Sequence, residues 1–403
     1  MSAAEQFVNS VESIIQRDEG NRGIKDLFQK GELYNAAKSL LTSNTVAIIT
    51  GFPCLLDHTP PTETDGPLGA VAIARALIVL GKTVTILTDE CNEEVMLACV
   101  AAAGIRADKL AMESFPGRGE GFDESDLLRL SRIGRRCEAV VAIERAGPNV
   151  EGACLTMRTR DMSAIVAPLE LLFDTDFIAD CRCAPPGEFE EEDETPSDQL
   201  GFVRVGIGDG GNEVGMGKIL ENVSSSPSIP HASDIACVTA ADHLIVASVS
   251  NWGGYALAAA VAALAAEAEN SALYPEYLRR FGPEEDDEEE MDTYEYRVLR
   301  VKLEQERKQA EAEVLCSSSS SGRQERFIDV CLCTPDNETA MLSAMNGAGA
   351  RDGITQSLEA MVDGMPLQVS LDILQEIKHA AGVICGIAPT TVFESVSGCV
   401  SDA

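Results

Sequence analysis

The sequence predicts an α/β protein: a doubly wound, mostly parallel sheet with helices on both faces, a helical N-terminal lead-in and a charged helical insertion. Two observations carry this prediction. Short apolar, β-branched runs alternate with helical segments between residues 44 and 269, an order typical of parallel sheets. Several of these runs end in polar residues, as strands do where an open α/β sheet forms its site.

The elements follow from local patterns taken in chain order. Residues 1–43 form the lead-in, because Phe7, Val11 and Ile15 recur at helical spacing. Pro67 begins the first helix of the core and Gly81 ends it. We predict strands at 45–50, 83–87, 109–115, 139–143, 202–207, 235–238 and 244–249. We predict the core and C-terminal helices at 67–80, 93–103, 123–136, 161–173, 338–346 and 371–381, and an alanine-rich helix that follows residue 253.

Two acidic insertions interrupt the predicted core. The first lies at 181–200, and the second, at 270–326, also holds a charged helical stretch and a serine run. The predicted organisation is a lead-in at 1–43, a core at 44–269 that contains the first insertion, the second insertion, and the C-terminal part of the core at 327–403. We interpret the second insertion as a solvated excursion, with a partner-binding arm as the alternative.

Composition excludes several classes of partner. Lys and Arg number 31 against 66 Asp and Glu, a net charge of −35, so neither nucleic acid nor an anionic membrane is expected. No apolar run reaches membrane-spanning length, the 13 cysteines lack zinc-site spacing, and acids near the N-terminus argue against a transit peptide. We expect a cytoplasmic protein that binds a small molecule, with homo-oligomer formation left open.

The most distinctive stretch is GIGDGGNEVGMGK, at Gly206–Lys218. It follows a predicted strand, six of its residues are glycine, and its polar side chains include Asp209, Asn212 and Glu213. Glycine lets a backbone approach a ligand closely, and the amides of such a turn can hold an anion. A tight structural turn is the alternative. The paired carboxylates suit acid–base chemistry, and they also suit Mg²⁺ or Mn²⁺.

Other predicted strand ends carry polar clusters as well. The chain after the first strand holds Glu63, Thr64 and Asp65, the second strand ends at Asp89, and the fourth leads into Glu144, Arg145 and Asn149. In a parallel sheet these ends lie along one edge, so we expect the clusters to converge there. For each carboxylate the alternative is a helix N-cap, since Asp and Thr cap helices that follow strands.

Familiar catalytic motifs are absent from the sequence. It has no HExxH helix, no GxxxxGK[ST] loop and no GxSxG elbow, and GFPCLL stands where a dinucleotide site would have GxGxxG. GDGGNE is similar to the GDGxxD loop of magnesium-dependent phosphatases of the haloacid dehalogenase type, so a phosphatase-like enzyme stays an alternative. A non-catalytic protein that binds an amino acid or a nucleotide is another.

Six longer motifs resemble the D-glutamate cyclase C-terminal domain family. They are GFPCLLDHTPPTETDGPLGA, LTDE, IERAGPN, GIGDGGNEVGMGK, DHLIVASVSNWGGYALAA and GARDGIT with VDGMPL, spread over residues 45–370. The resemblance implies a lyase that interconverts D-glutamate with 5-oxo-D-proline and water. It also implies the mitochondrial matrix as an alternative location.

That chemistry suggests roles for the residues in these motifs. It needs a base, an acid, donors for an oxyanion and a cation for the substrate carboxylate. We expect the acid and the base among Asp209, Glu213, Asp65 and Glu144, with Asp209 and Glu213 as ligands if Mg²⁺ or Mn²⁺ binds. The substrate-binding residues that we expect are Thr64, Arg145, Asn149, Gly208, Gly210, Gly211, Asn212, Asn251, Trp252 and Arg351.

Overall fold

The central sheet has six strands, all parallel, which confirms the predicted doubly wound α/β class. The computed structural model describes residues 1–20, 23–105, 110–183, 202–267 and 331–384. The strands are β1 (Thr45–Gly51), β2 (Thr83–Asp89), β3 (Ala111–Phe115), β4 (Ala139–Arg145), β5 (Val203–Gly208) and β6 (His243–Val246). Across the sheet the order is β3-β2-β1-β4-β5-β6, so the winding reverses between β1 and β4.

Helices cover both faces of the sheet. Within the described residues the α-helices are α1 (Ala3–Ile15), α2 (Glu32–Thr42), α3 (Pro67–Val79), α4 (Glu93–Ala102), α5 (Glu124–Arg136), α6 (Thr175–Cys183), α7 (Leu220–Ser224), α8 (Ala232–Ile235), α9 (Ser250–Glu267), α10 (Pro335–Gly347) and α11 (Leu367–Ile384). A small antiparallel pair, β7 (Met361–Val362) and β8 (Met365–Pro366), precedes α11.

Strand β1 shows how the sheet serves two cores. Val46 and Ile48 pack in the larger core, which includes α1, α2, α3, α4, α9, α10 and α11. Ala47 and Ile49 point to the opposite face and pack in the core that includes α5 and α6. Successive side chains of a strand face opposite ways, so a strand buried on both sides becomes the continuous apolar run seen here in the sequence.

The N-terminal helices belong to the larger core. Helix α1 begins with a capping box in which Ser2 and Glu5 bond each other's backbone amides. Its apolar stripe, with Phe7 and Val11 buried, packs with α2 against α9. The segment expected to be a helical lead-in therefore covers one face of the sheet.

Two glycines allow α3 and α9 to cross closely. A Cβ built on Gly254 would lie 2.6 Å from the Cα of Gly69, well inside any real contact between these atoms. Larger residues at either position would push the helices apart. Because both helices begin at the carboxyl edge of the sheet, this crossing fixes the distance between their N-termini.

Two predicted elements are wrong. Residues 161–173 do not form one helix: a loop reaches Pro168 and only Leu169–Phe173 turns, as a 3-10 helix. Proline lacks the N–H that a continuous helix would need. Residues 235–238 do not form a strand either, since Ile235 ends α8 and the amide of Val238 donates to the carbonyl of Pro148 in a neighbouring loop. A short apolar run does not by itself distinguish a strand from a helical turn.

The remaining bounds differ by a few residues. The last sheet strand ends at Val246 rather than 249, because the chain turns there into α9. The two acidic insertions, predicted at 181–200 and 270–326, lie almost wholly outside the described residues, which leave out 184–201 and 268–330. Among the helices of the described residues, none combines the length and the apolar character that a membrane crossing requires.

Candidate active site

The carboxyl edge of the sheet brings four segments together where the winding reverses. The loop after β1 carries Asp65, β4 presents Glu144 at its end, β5 leads directly into Asp209, and α9 begins with Ser250 and Asn251. At such a reversal the loops on either side diverge and leave a crevice, which is where open α/β sheets bind ligands. The predicted convergence of polar strand ends is present here.

Asp65, Glu144 and Asp209 form a compact carboxylate cluster. One oxygen from each lies within 4.8 Å of the others, and all three side chains are buried. Carboxylate oxygens are the ligands that Mg²⁺ and Mn²⁺ prefer, so these three side chains are the group that could hold such a cation in the described part of the chain. Of the two ligands expected from the sequence, Asp209 belongs to this cluster, whereas Glu213 is held elsewhere.

Asp65 and Asn251 cap each other's helices. The carboxylate of Asp65 accepts hydrogen bonds from the amides of Ser250 (2.9 Å) and Asn251 (2.8 Å), at the start of α9. The side-chain oxygen of Asn251 accepts from the amides of Gly66 (2.9 Å) and Gly69 (2.8 Å), at the start of α3. The capping alternative is therefore present for Asp65, and the cap places its carboxylate inside the cluster.

Glu144 occupies an unusual backbone position at the end of β4. Its φ is +39°, a region that residues other than glycine seldom adopt. Gly66 makes room for it, because a Cβ at Gly66 would lie 2.8 Å from the Cβ of Glu144. The hydroxyl of Ser250 donates to the carboxylate of Glu144 at 2.6 Å. These contacts turn the side chain toward the cluster.

The cluster holds on to protons more strongly than ordinary carboxyl groups. Burial raises the pKa of Glu144 well above its usual value, and the negative charges of Glu213 and Asp65 raise it further. Burial and the charge of Asp363 raise the pKa of Asp65 to about 7, against the opposing pull of the α9 amides and of a hydrogen bond with Asp209. Like charges this close do not all ionise, so the cluster keeps a proton near neutral pH.

The backbone amides of the glycine-rich loop bind the carboxylate of Glu213, which belongs to the same loop. One carboxylate oxygen of Glu213 accepts from the amides of Asp209 (3.0 Å) and Gly210 (2.5 Å), and the other accepts from Gly211 (2.6 Å). The turn amides that the sequence suggested for holding an anion are thus occupied by Glu213. This geometry favours a role for Glu213 in shaping the loop that presents Asp209.

Arg145 forms a buried ion pair with Asp89. Its two terminal nitrogens donate to the carboxylate of Asp89 at 2.5 and 2.8 Å, and one also donates to the carbonyl of Ala167 at 2.7 Å. Both side chains of the pair are 0% exposed. Arg145 was expected to bind a substrate carboxylate, and the geometry instead favours a role in joining β4 to β2.

Most of the other predicted binding residues fasten loops and do not line the cavity in the described part of the chain. The Thr64 hydroxyl donates to a carbonyl of β7, the Trp252 ring N–H to a serine of α11, and Arg351 to a carbonyl of its own loop. Asn149 donates to a carbonyl of α8. Asn212 is the exception, because it lines the cavity and also donates to a loop carbonyl.

A cavity of about 120 Å³ opens beside the cluster. It is far larger than the roughly 10–15 Å³ that a single water needs, so it has room for a small molecule. Its lining includes charged residues of both signs. The acidic residues are Glu63, Glu144, Asp209, Glu213 and Asp363, and the basic residues are Arg158 and Arg160.

Sequence reasoning missed three of these charged residues. Asp363 stands in the VDGMPL motif, which was noted without assigning a role to its acid. Arg158 and Arg160 stand in the segment TMRTRD, where two arginines one residue apart follow a buried stretch. The two nearby arginines could have suggested a site for an anion, but nothing in the local sequence indicates that this segment faces the strand ends.

Comparisons with known proteins agree with this architecture. The family model described as D-glutamate cyclase-like, C-terminal, matches residues 11–181 and 189–378. The human protein named "D-glutamate cyclase, mitochondrial" is 36% identical over 285 residues, 69% of this chain and 42% of that protein. The chain therefore spans less than half of that relative, whose name agrees with the mitochondrial alternative. The resemblance noted in the motifs is confirmed: the chain belongs to the D-glutamate cyclase-like C-terminal family.

Proposed function

We propose that this chain is a hydro-lyase that interconverts D-glutamate with 5-oxo-D-proline and water. The observation that carries the proposal is a buried cluster of three carboxylates that keeps a proton near neutral pH, beside a cavity of small-molecule size. The name of the human relative supports the choice of substrate. Linked carboxyl groups with raised pKa values beside a cavity favour catalysis over ligand binding alone, because acid–base catalysis uses such groups.

The reaction needs proton transfer at two atoms. The substrate nitrogen loses two protons as its ammonium becomes a lactam N–H, and the departing γ-oxygen gains two protons to leave as water. One C–N bond forms and one C–O bond breaks, with no net release of protons. A pair of carboxyl groups, one ionised and one protonated, can move both protons and return to its starting state.

We assign these two roles to the residues that face the cavity. Asp209, presented by the glycine-rich loop, takes a proton from the ammonium so that the nitrogen can attack. Glu144, whose raised pKa keeps it protonated, donates to the γ-carboxylate and so reduces the charge that repels the nucleophile. Asp65 is a positioning residue, since its hydrogen bond with Asp209 ties the cluster to the start of α9.

The oxyanion of the tetrahedral intermediate needs a partner other than the loop amides. Protonated Glu144 is one, because it lies at the cavity wall. A cation is the other: Asp65, Glu144 and Asp209 are the residues that would hold Mg²⁺ or Mn²⁺, and the ion would mask the charge of the γ-carboxylate. Turnover measured after chelation, and after separate addition of Mn²⁺ and Mg²⁺, distinguishes the two arrangements.

The test is conversion by the purified protein. We expect D-glutamate and 5-oxo-D-proline to interconvert, as measured by chromatography, with L-glutamate as the comparison substrate. Absence of conversion in both directions, with and without Mn²⁺, would refute the proposal. Asp209→Asn should abolish turnover while retaining the wild-type circular dichroism spectrum, and Glu221→Gln, on exposed α7, is the matched control. Normal turnover by Asp209→Asn would remove Asp209 from the mechanism.

A further inference from the structure

A tight turn carries two arginines to the cavity. The amide of Met162 donates to the carbonyl of Cys154 at 3.0 Å, and the amide of Thr156 donates to the carbonyl of Arg160 at 2.9 Å. The buried hydroxyl of Thr156 accepts from the amides of Arg158 (3.3 Å) and Arg160 (3.1 Å). The turn is therefore held by its own backbone and has little freedom to move either arginine away.

The turn is also fastened to the glycine-rich loop. The side-chain amide of Asn212 donates to the carbonyl of Leu155 at 2.8 Å, and Asn212 lies three residues after Asp209. One side-chain bond thus sets the arginines relative to the proposed base. This arrangement suits a residue that must hold one end of a substrate while its other end reacts.

The two arginines differ in how they are partnered. Arg160 binds the carboxylate of Asp57 through both terminal nitrogens, at 2.6 and 3.0 Å. Within the described residues, Arg158 makes one side-chain hydrogen bond, to the carbonyl of Ile354 at 3.3 Å, and has no acidic partner. Arg160 shows that a carboxylate can be bound in the fork geometry at this turn, and Arg158 has the same fork available.

We propose that Arg158 binds the α-carboxylate of the substrate, so that the cavity accepts α-amino acids with a second carboxylate and rejects amines that lack the first. This inference rests on the proposed function. The amine and the γ-carbon must react beside Asp209 and Glu144. The acidic residues of the lining repel a carboxylate that takes no part in the reaction. The α-carboxylate is then attracted to the basic lining residues, of which Arg158 is the one that has no acidic partner among the described residues.

The experiment compares Arg158→Gln and Arg158→Lys with the wild type. We expect Arg158→Gln to raise KM for D-glutamate by about 10- to 100-fold, the usual worth of a hydrogen-bonded charge pair, with kcat changed only a few-fold. Arg158→Lys keeps the positive charge but loses the forked guanidinium, so its KM should lie between those of the wild type and Arg158→Gln. Arg17→Gln is the matched control, because Arg17 is a partly exposed arginine that follows α1.

A second ligand separates this inference from the proposed function. Calorimetric titration with D-glutamate and with 4-aminobutyrate, which lacks the α-carboxylate, should show that Arg158→Gln weakens only the first. If the wild type converts D-glutamate and Arg158→Gln has an unchanged KM, or weakens both ligands equally, the role of Arg158 is refuted and the function stands. Binding of D-glutamate that depends on Arg158, without turnover, supports the role of Arg158 and overturns the proposed function. Neither binding nor turnover by the wild type refutes both.

Discussion

Breaking the buried pair of Arg145 and Asp89 should destabilise the protein strongly. Asp89→Asn removes the charge that faces the guanidinium across distances of 2.5 and 2.8 Å, at a site where both side chains are 0% exposed. An unpaired buried charge costs about 3–5 kcal/mol, a large part of the roughly 5–15 kcal/mol that holds a typical protein folded. The double variant Arg145→Met with Asp89→Leu should recover most of that loss, because it removes both charges together.

Urea denaturation followed by the fluorescence of Trp252 measures this loss. Trp252 is the single tryptophan of the chain and is fully buried, so its emission reports on unfolding of the larger core. Arg160→Met is the control, since its pair with Asp57 is exposed and should shift the midpoint little. A free energy of unfolding for Asp89→Asn within about 1 kcal/mol of wild type would refute the structural role. Arg145→Met with unchanged stability and a raised KM would restore its substrate role.

Three further predictions test other parts of the molecule. Burial raises the pKa of Glu338 from 4.5 to about 7. The free energy of unfolding of the wild type should therefore fall by roughly 3 kcal/mol, relative to that of Glu338→Gln, as the pH rises through that interval. The same difference in urea stability between the two proteins at pH 5 and at pH 8 would contradict this prediction. Gly254→Ala, whose Cβ would meet Gly69, should cost about 1–3 kcal/mol in the same assay, and a neutral result would disprove the close crossing. Burial raises the pKa of Glu144 most, and the charge of Asp363 adds to that shift, so Asp363→Asn should move the alkaline loss of turnover to slightly lower pH; a profile that moved to higher pH would count against Glu144 as the acid.

The sheet was predictable because its strands are buried on both faces. Runs such as 45–50 and 139–143 consist of apolar or β-branched residues throughout, and glycine and proline mark the helices between them. The two failures have different causes, and the helix expected at 161–173 is interrupted at Pro168. Residues 235–238 have a similar composition, but the amides of Ile235 and Ala236 bond within the turn of α8, and those of Cys237 and Val238 donate to carbonyls of loops that are distant in sequence. Only the folded chain decides where such short segments find their partners.

The candidate site was predictable in composition and less so in roles. All four acids named from the motifs, Asp65, Glu144, Asp209 and Glu213, lie at one edge of the sheet. Whether a backbone amide is open to a ligand depends on what else reaches it, and in this loop Glu213 does. Likewise, an arginine next to a glutamate in sequence gives no sign that its guanidinium reaches Asp89 at the end of β2, across the intervening strand β1.

Capping and proton chemistry are linked at Asp65. The amides of Ser250 and Asn251 stabilise its ionised form, as amides at a helix N-terminus do, whereas burial and nearby acids oppose ionisation. The balance leaves a pKa of about 7, at which small changes in geometry shift the proton. Because the separation of the α3 and α9 N-termini depends on the crossing at Gly69, packing in the core and acidity in the site are coupled. A substitution in that crossing should therefore change the pH dependence of turnover as well as stability, even though it lies outside the cavity.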